Sequence, residues 1–145
     1  MTQPPRLDER FIHLGLGATA VPQPPFDGME WYGAYGERHG ADGREGRLVS
    51  QYTFTEDWPG WEMHPAGEEV VICTAGEMEL TQEFPDGRRE SVTLRPGEYA
   101  INPPGVWHIA DIAQEATAIF ITAGSHSTEH AGVSAAVQLI DELDT

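Results

Sequence analysis

Glu62, His64 and Glu69 stand in the stretch G-W-E-M-H-P-A-G-E-E-V-V-I-C-T-A-G over residues 60–76, and His108 closes the run P-P-G-V-W-H over 103–108. Two histidines and a carboxylate, each beside a β-type run, form the ligand set of a mononuclear metal centre. The rest of the chain offers no comparable chemistry. It has no Ser/His/Asp nucleophile arrangement, and its glycines do not follow a strand and open a helix to cradle phosphate. His13 and His39 lack any partner pattern. His126 and His130 are four apart but fall in a polar loop segment.

Rigid elements must bring such ligands together, because loose ligands lose entropy on binding and hold geometry badly. In a strand, residues i and i+2 point to one face, so Glu62 and His64 project together. Pro65-Ala66-Gly67 then breaks the strand, Glu69 opens the next one, and His108 follows the stiff Pro103-Pro104-Gly105 corner. The flanking pattern is that of short strands. Residues 11–14 predict an edge strand, and the aromatic run 29–35 predicts another. Residues 40–46 predict a loop. In 47–55, Leu48, Tyr52 and Phe54 share one face, and Val49, Gln51 and Thr53 the other. The continuous apolar run 70–75 predicts a strand covered on both sides. Residues 77–84 alternate strictly and end at the turn Pro85-Asp86-Gly87. Runs at 88–94, 99–102, 107–112 and 116–122 complete roughly nine or ten strands at sandwich or barrel spacing. From Ser134, Val137, Ile140 and Leu143 recur at helical spacing and predict a short C-terminal helix. The expected organisation is an irregular lead-in over 1–28, a barrel over 29–125, and a polar loop with the helix over 126–145.

The 145 residues suit one domain, and 16 glycines with 11 prolines favour strands over long helices. A formal charge of −16 opposes contact with nucleic acid or anionic lipid and leaves a solvated acidic surface. The single cysteine, Cys73, excludes an intrachain disulfide and sits in an apolar run as a small buried hydrophobe. The opening residues lack a basic and then apolar leader, and no stretch reaches membrane-span length. The expectation is a soluble, cytoplasmic protein.

With these residues in view, the chain resembles the cupins, whose motifs are G-x5-H-x-H-x3–4-E-x6-G and G-x5-P-x-G-x2-H-x3-N. His64, Glu69 and Gly76 fall in register with the first motif, and Gly97, Pro103, Gly105 and His108 with the second. One hairpin separates the two. The resemblance implies an all-β fold, a double-stranded β-helix (jelly-roll) barrel, with a mononuclear site in its mouth. It carries over His64, Glu69 and His108 as metal ligands, and it suggests a homodimer. The chain departs from the pattern twice: Glu62 replaces the first histidine and Ile112 the final asparagine. Glu62 is then either a fourth ligand or an acid/base beside a facial 2-His-1-carboxylate set. Such a site suits one divalent ion: Fe, Mn, Zn or Ni. Trp58, Trp61 and Trp107 cluster around the motifs, and Gln51, Tyr52 and Trp61 are the candidate substrate-pocket residues. The implied function is binding of a small organic molecule, by a dioxygenase or isomerase type of enzyme or by a non-catalytic sensor. An empty structural barrel is the third class.

Overall fold

The computed structural model describes residues 3–124. The helix expected from Ser134, the loop before it, and His126 and His130 lie outside the described residues. Among the described residues nine strands run in chain order: β1 (Ile12–Gly15), β2 (Thr19–Pro22), β3 (Arg47–Phe54), β4 (Glu69–Gly76), β5 (Met78–Glu83), β6 (Arg89–Leu94), β7 (Tyr99–Asn102), β8 (Trp107–Asp111) and β9 (Ala116–Ala123). An α-helix, α1 (Glu30–His39), lies between β2 and β3, followed by a 3-10 turn over Gly40–Glu45 where a loop was expected. The pairings are antiparallel and build a six-stranded sheet, β2-β1-β3-β9-β4-β7, and a three-stranded sheet, β6-β5-β8. Val71, Cys73, Ala118 and Phe120 from the larger sheet form one buried cluster with Met78, Leu80, Leu94 and Ala110 from the smaller. The two inner faces thus enclose the core of a jelly-roll barrel.

Alternation set this core. Leu48 and Ser50 on β3 are buried, whereas Gln51 and Thr53 turn the other way. The run expected to be covered on both sides instead alternates: Val71 and Cys73 are buried, and Val70 and Ile72 are half-buried. The Cys73 thiol lies within the core cluster, and burial pushes its pKa up. Gly76 ends β4 with φ 68°, and a Cβ there would stand 1.9 Å from Glu115 O, so only glycine fits.

Two expectations are corrected. Residues 11–14 do form a strand, but β2 covers its outer side, so β1 is internal and the lead-in folds into a hairpin. The run 29–35 is helical. Trp31 and Tyr35, one turn apart, stack at 5.3 Å, and with Tyr32 they pack on Phe11 and Leu48. That burial overrides the β-preference of aromatic side chains.

A polar clamp fixes the end of α1. His13 on β1 meets Tyr35 OH through Nδ1 (2.6 Å) and Asp42 through Nε2 (2.7 Å). Its ring stacks on His39 at 3.9 Å, and Gln23 Nε2 donates to His39 Nε2 while Arg38 donates to Gln23 Oε1.

Candidate metal centre

The four residues singled out by spacing come together. Residues just before β4 run beside β8, where Glu62 and His108 exchange both backbone hydrogen bonds at 2.8 Å. Such a pair places its two side chains close together on one face. His64, two residues on, shares that face with Glu62. From the other sheet comes Glu69, whose register neighbours are Asn102 on β7 and Thr122 on β9. Both hold its carboxylate: Asn102 Nδ2 donates to Oε1 at 3.1 Å and Thr122 Oγ1 to Oε2 at 2.8 Å. Gln82, opposite His108 on β5, donates to Asn102 Oδ1 at 2.8 Å and ties the two sheets at the site.

His64 Nε2 lies 3.2 Å from Glu69 Oε2 and 3.7 Å from Glu62 Oε1; His108 Nε2 lies 3.3 Å from Glu69 Oε1 and 3.7 Å from Glu62 Oε1. All four side chains are buried, and both Nε2 atoms lack a hydrogen-bond partner. Buried polar atoms seldom stay orphaned. Donor atoms about 2.1 Å from one ion stand roughly 3.0–3.4 Å apart, so the separations here are of that size or slightly wider. Glu62, His64 and His108 each bring one donor atom within 4.8 Å of the others, a group that could hold a metal ion. Glu69 lies closer still to the two Nε2 atoms, at 3.2 and 3.3 Å, while each of its oxygens also accepts one hydrogen bond.

Burial opposes charge on His64, but the Glu69 charge and the nearby Glu62 outweigh it and raise its pKa to about 10. His108 is raised likewise, against burial, by Glu62 and Glu69. For Glu69 burial is again the largest influence, yet the two imidazoles hold its carboxyl well below the usual range. Burial, and then the charges of Glu62 and Glu69, push the Tyr52 phenol up, so it stays neutral.

A cavity of about 380 Å³ opens beside the centre, lined by Phe26, Tyr32, Tyr52, Phe54, Trp58 and Phe120 among others. Of the four site residues only Glu62 lines it. Of the candidate pocket residues, Tyr52 lines it. Gln51 alternates to the opposite face of β3, and Trp61 carries Arg89 over its ring at 4.9 Å, so neither lines the cavity. Trp58 takes the place expected of Trp61, because Pro59-Gly60 breaks the alternation between them.

A cupin domain model matches residues 55–124. This stretch is a cupin domain. No curated protein matches the chain. Among solved structures it is similar to a Neisseria meningitidis protein at 26% identity, with 54% of this chain and 74% of that one covered and a TM-score of 0.45. It is similar also to a cupin-2 domain containing protein from Shewanella frigidimarina at 25% identity, covering 53% and 70%, with a TM-score of 0.43. A third is hydroquinone 1,2-dioxygenase from Sphingomonas with 4-hydroxybenzoate bound, at 18% identity, 53% and 59% coverage, and a TM-score of 0.48. In this cupin Glu62 occupies the place of the motif's first histidine. At the place of its final asparagine, Ile112 gives only its backbone N–H, to Asp57 at 2.6 Å.

His13, His39 and Asp42 also bring donor atoms within 4.8 Å. Both His13 ring nitrogens are already bonded, and the two rings stack with only 18° between their planes. Their in-plane lone pairs therefore run side by side rather than toward one point, and the group acts as the clamp described above. Sequence spacing could not reveal it, nor Asn102, Thr122 and Gln82. Each becomes a neighbour only through strand register.

Proposed function

We propose that this cupin is a metal-dependent enzyme acting on a small organic molecule. Glu62, His64 and His108 hold one divalent ion, Fe, Mn, Zn or Ni, and the substrate lies in the aromatic cavity against Glu62. The observation that carries this reading is the pair of buried, unpartnered Nε2 atoms facing one oxygen of Glu62. When bound, the ion supplies polarisation of a substrate oxygen and, if it is iron, redox chemistry of the dioxygenase type. Glu69, locked by Asn102 and Thr122, adds a second negative charge and keeps both imidazoles turned inward. Glu62, at the cavity wall, is the acceptor a substrate proton meets first. The neutral Tyr52 and the other rings exclude water.

Adding each metal in turn to metal-free protein tests this. Near-saturation is worth about 2.7 kcal/mol, which for a domain of this size raises Tm by roughly 5–10 °C. His64→Ala and His108→Ala should each abolish the shift. Folded protein that responds to none of the four metals would end this reading. A second reading, a non-catalytic ligand-binding cupin, is favoured by Glu62 itself: two carboxylates around one cation lower its Lewis acidity. Metal uptake with ligand binding but no turnover under any metal would select it. We also infer a homodimer, supported by the exposed apolar Val92, Tyr99 and Ile101 on β6 and β7. Sedimentation at monomer mass would exclude it.

A further inference from the structure

We infer that the cavity is built for an uncharged, hydroxyl-bearing molecule with an apolar ring, and that it rejects carboxylates. This rests on the reading above, that the Glu62 end of the cavity is the reacting end. Three independent features of the wall converge on it.

The first is charge. Among the described residues, the charged side chains that line the cavity are Glu56, Asp57 and Glu62, all acids, and no Arg or His lines it. A ligand carboxylate would enter a partly buried space among like charges with no cation to meet it. The centre does not compensate. Glu62 and Glu69 together offset the charge of a divalent ion.

The second is shape and polarity. Tyr52, Phe54, Trp58 and Phe120 pack on one another at centroid distances of 5.5–6.1 Å, so the wall is a preformed aromatic surface. Such a wall suits a flat or apolar body.

The third is the hydrogen-bonding left over. Trp58 Nε1 and Tyr32 OH, on two residues that line the cavity, are buried without a partner. An indole N–H can only donate, so the matching ligand atom must accept. Glu62, as a carboxylate, can only accept, so the ligand must also donate. A hydroxyl does both. An ammonium group cannot accept, and a carboxylate cannot donate.

The test uses three probes with one ring and one two-carbon arm: 2-phenylethanol, 2-phenylethylamine and phenylacetate. Binding is followed by titration calorimetry on the full chain, once metal-free and once with Zn(II). The alcohol should bind best, with phenylacetate about ten-fold weaker or worse in both states. Trp58→Phe keeps the ring and removes the donor. It should weaken the alcohol about three- to ten-fold and leave ethylbenzene unchanged. Phenylacetate or 2-phenylethylamine matching or exceeding the alcohol would overturn the inference, as would no saturable binding of any probe up to about 20 mM. If Zn(II) fails to bind while the order of probes holds, the metal reading falls and this one stands. If Zn(II) binds and the order reverses, this one alone falls.

Discussion

Glu62 and Glu69 face the same two imidazoles, yet their surroundings give them different work. Each Glu69 oxygen is held by a buried donor, from Asn102 and from Thr122. Among the described residues no such hydrogen bond fixes Glu62, which meets the cavity instead. Glu69→Gln would set an amide N–H₂ against one of those donors and remove the counter-charge of His64. A loss of about 3–5 kcal/mol in denaturant-measured stability is expected, even without metal. Glu62→Gln should cost little stability but should weaken metal binding by more than about ten-fold, read by calorimetry. Similar losses of stability in the two variants would contradict this division. The raised pKa of His64 adds a pH test. A folded-state pKa above the unfolded value of 6.5 gives stability that is full below 6.5 and is lost as pH rises through about 10. Metal-free protein should therefore melt lower at pH 10 than at pH 6.5. The ligand proton must leave before an ion binds, so the metal-induced rise in Tm should grow over the same range. The chain contains no lysine, which keeps that range clear of side-chain ammonium titration. A metal-induced rise that shrinks with pH would show that the imidazoles are not the ligands.

The elements explain which parts could be read in advance. Strands β3 and β5 show period-two alternation, β4 an apolar run, and turn residues set off the others, so their succession along the chain and nearly all their limits were visible. The cluster of Glu62, His64 and His108 was visible too, because Glu62 and His64 sit two apart and the Pro-Pro-Gly corner precedes His108. What stayed hidden depends on register or on packing. Thr122 meets Glu69 from 53 residues away and Gln82 meets Asn102 from 20, with no local pattern to mark either. Helix α1 was hidden because Gly33 and Gly36 lower helix propensity while its aromatics raise strand propensity. The His13 clamp ties the last turn of α1 to β1, while Met29 and Tyr32, at the start of the same helix, line the cavity. His13→Ala leaves Tyr35 OH without its His13 bond and opens a gap beside His39. The expected cost is about 2–3 kcal/mol, together with faster proteolytic cleavage near α1 and weaker binding of ring-bearing probes. Unchanged probe affinity in a destabilised variant would show that α1 does not shape the cavity wall.

At the scale of the whole molecule the dominant property is charge. Twenty-four acidic residues face eight arginines, for a net −16 spread over 145 residues. That field repels nucleic acid and anionic surfaces and concentrates small cations near the protein. Among the described residues no helix is long and apolar enough to cross a membrane. The proposed metal ligands are buried, so the field acts on the approach of an ion and hardly on its final contacts. Screening shortens with salt, from about 30 Å at 0.01 M to about 10 Å at 0.1 M. The association rate of Mn(II) or Zn(II), followed by stopped-flow tryptophan fluorescence, should therefore fall about ten-fold over that range. The dissociation rate should change less than about two-fold, because the bonds being broken lie where salt does not reach. If salt instead speeds dissociation and leaves association alone, the ion is being held at the acidic surface rather than between His64 and His108. His64→Ala gives the control: it should remove the slow, salt-insensitive dissociation phase and leave only weak, fully screened binding.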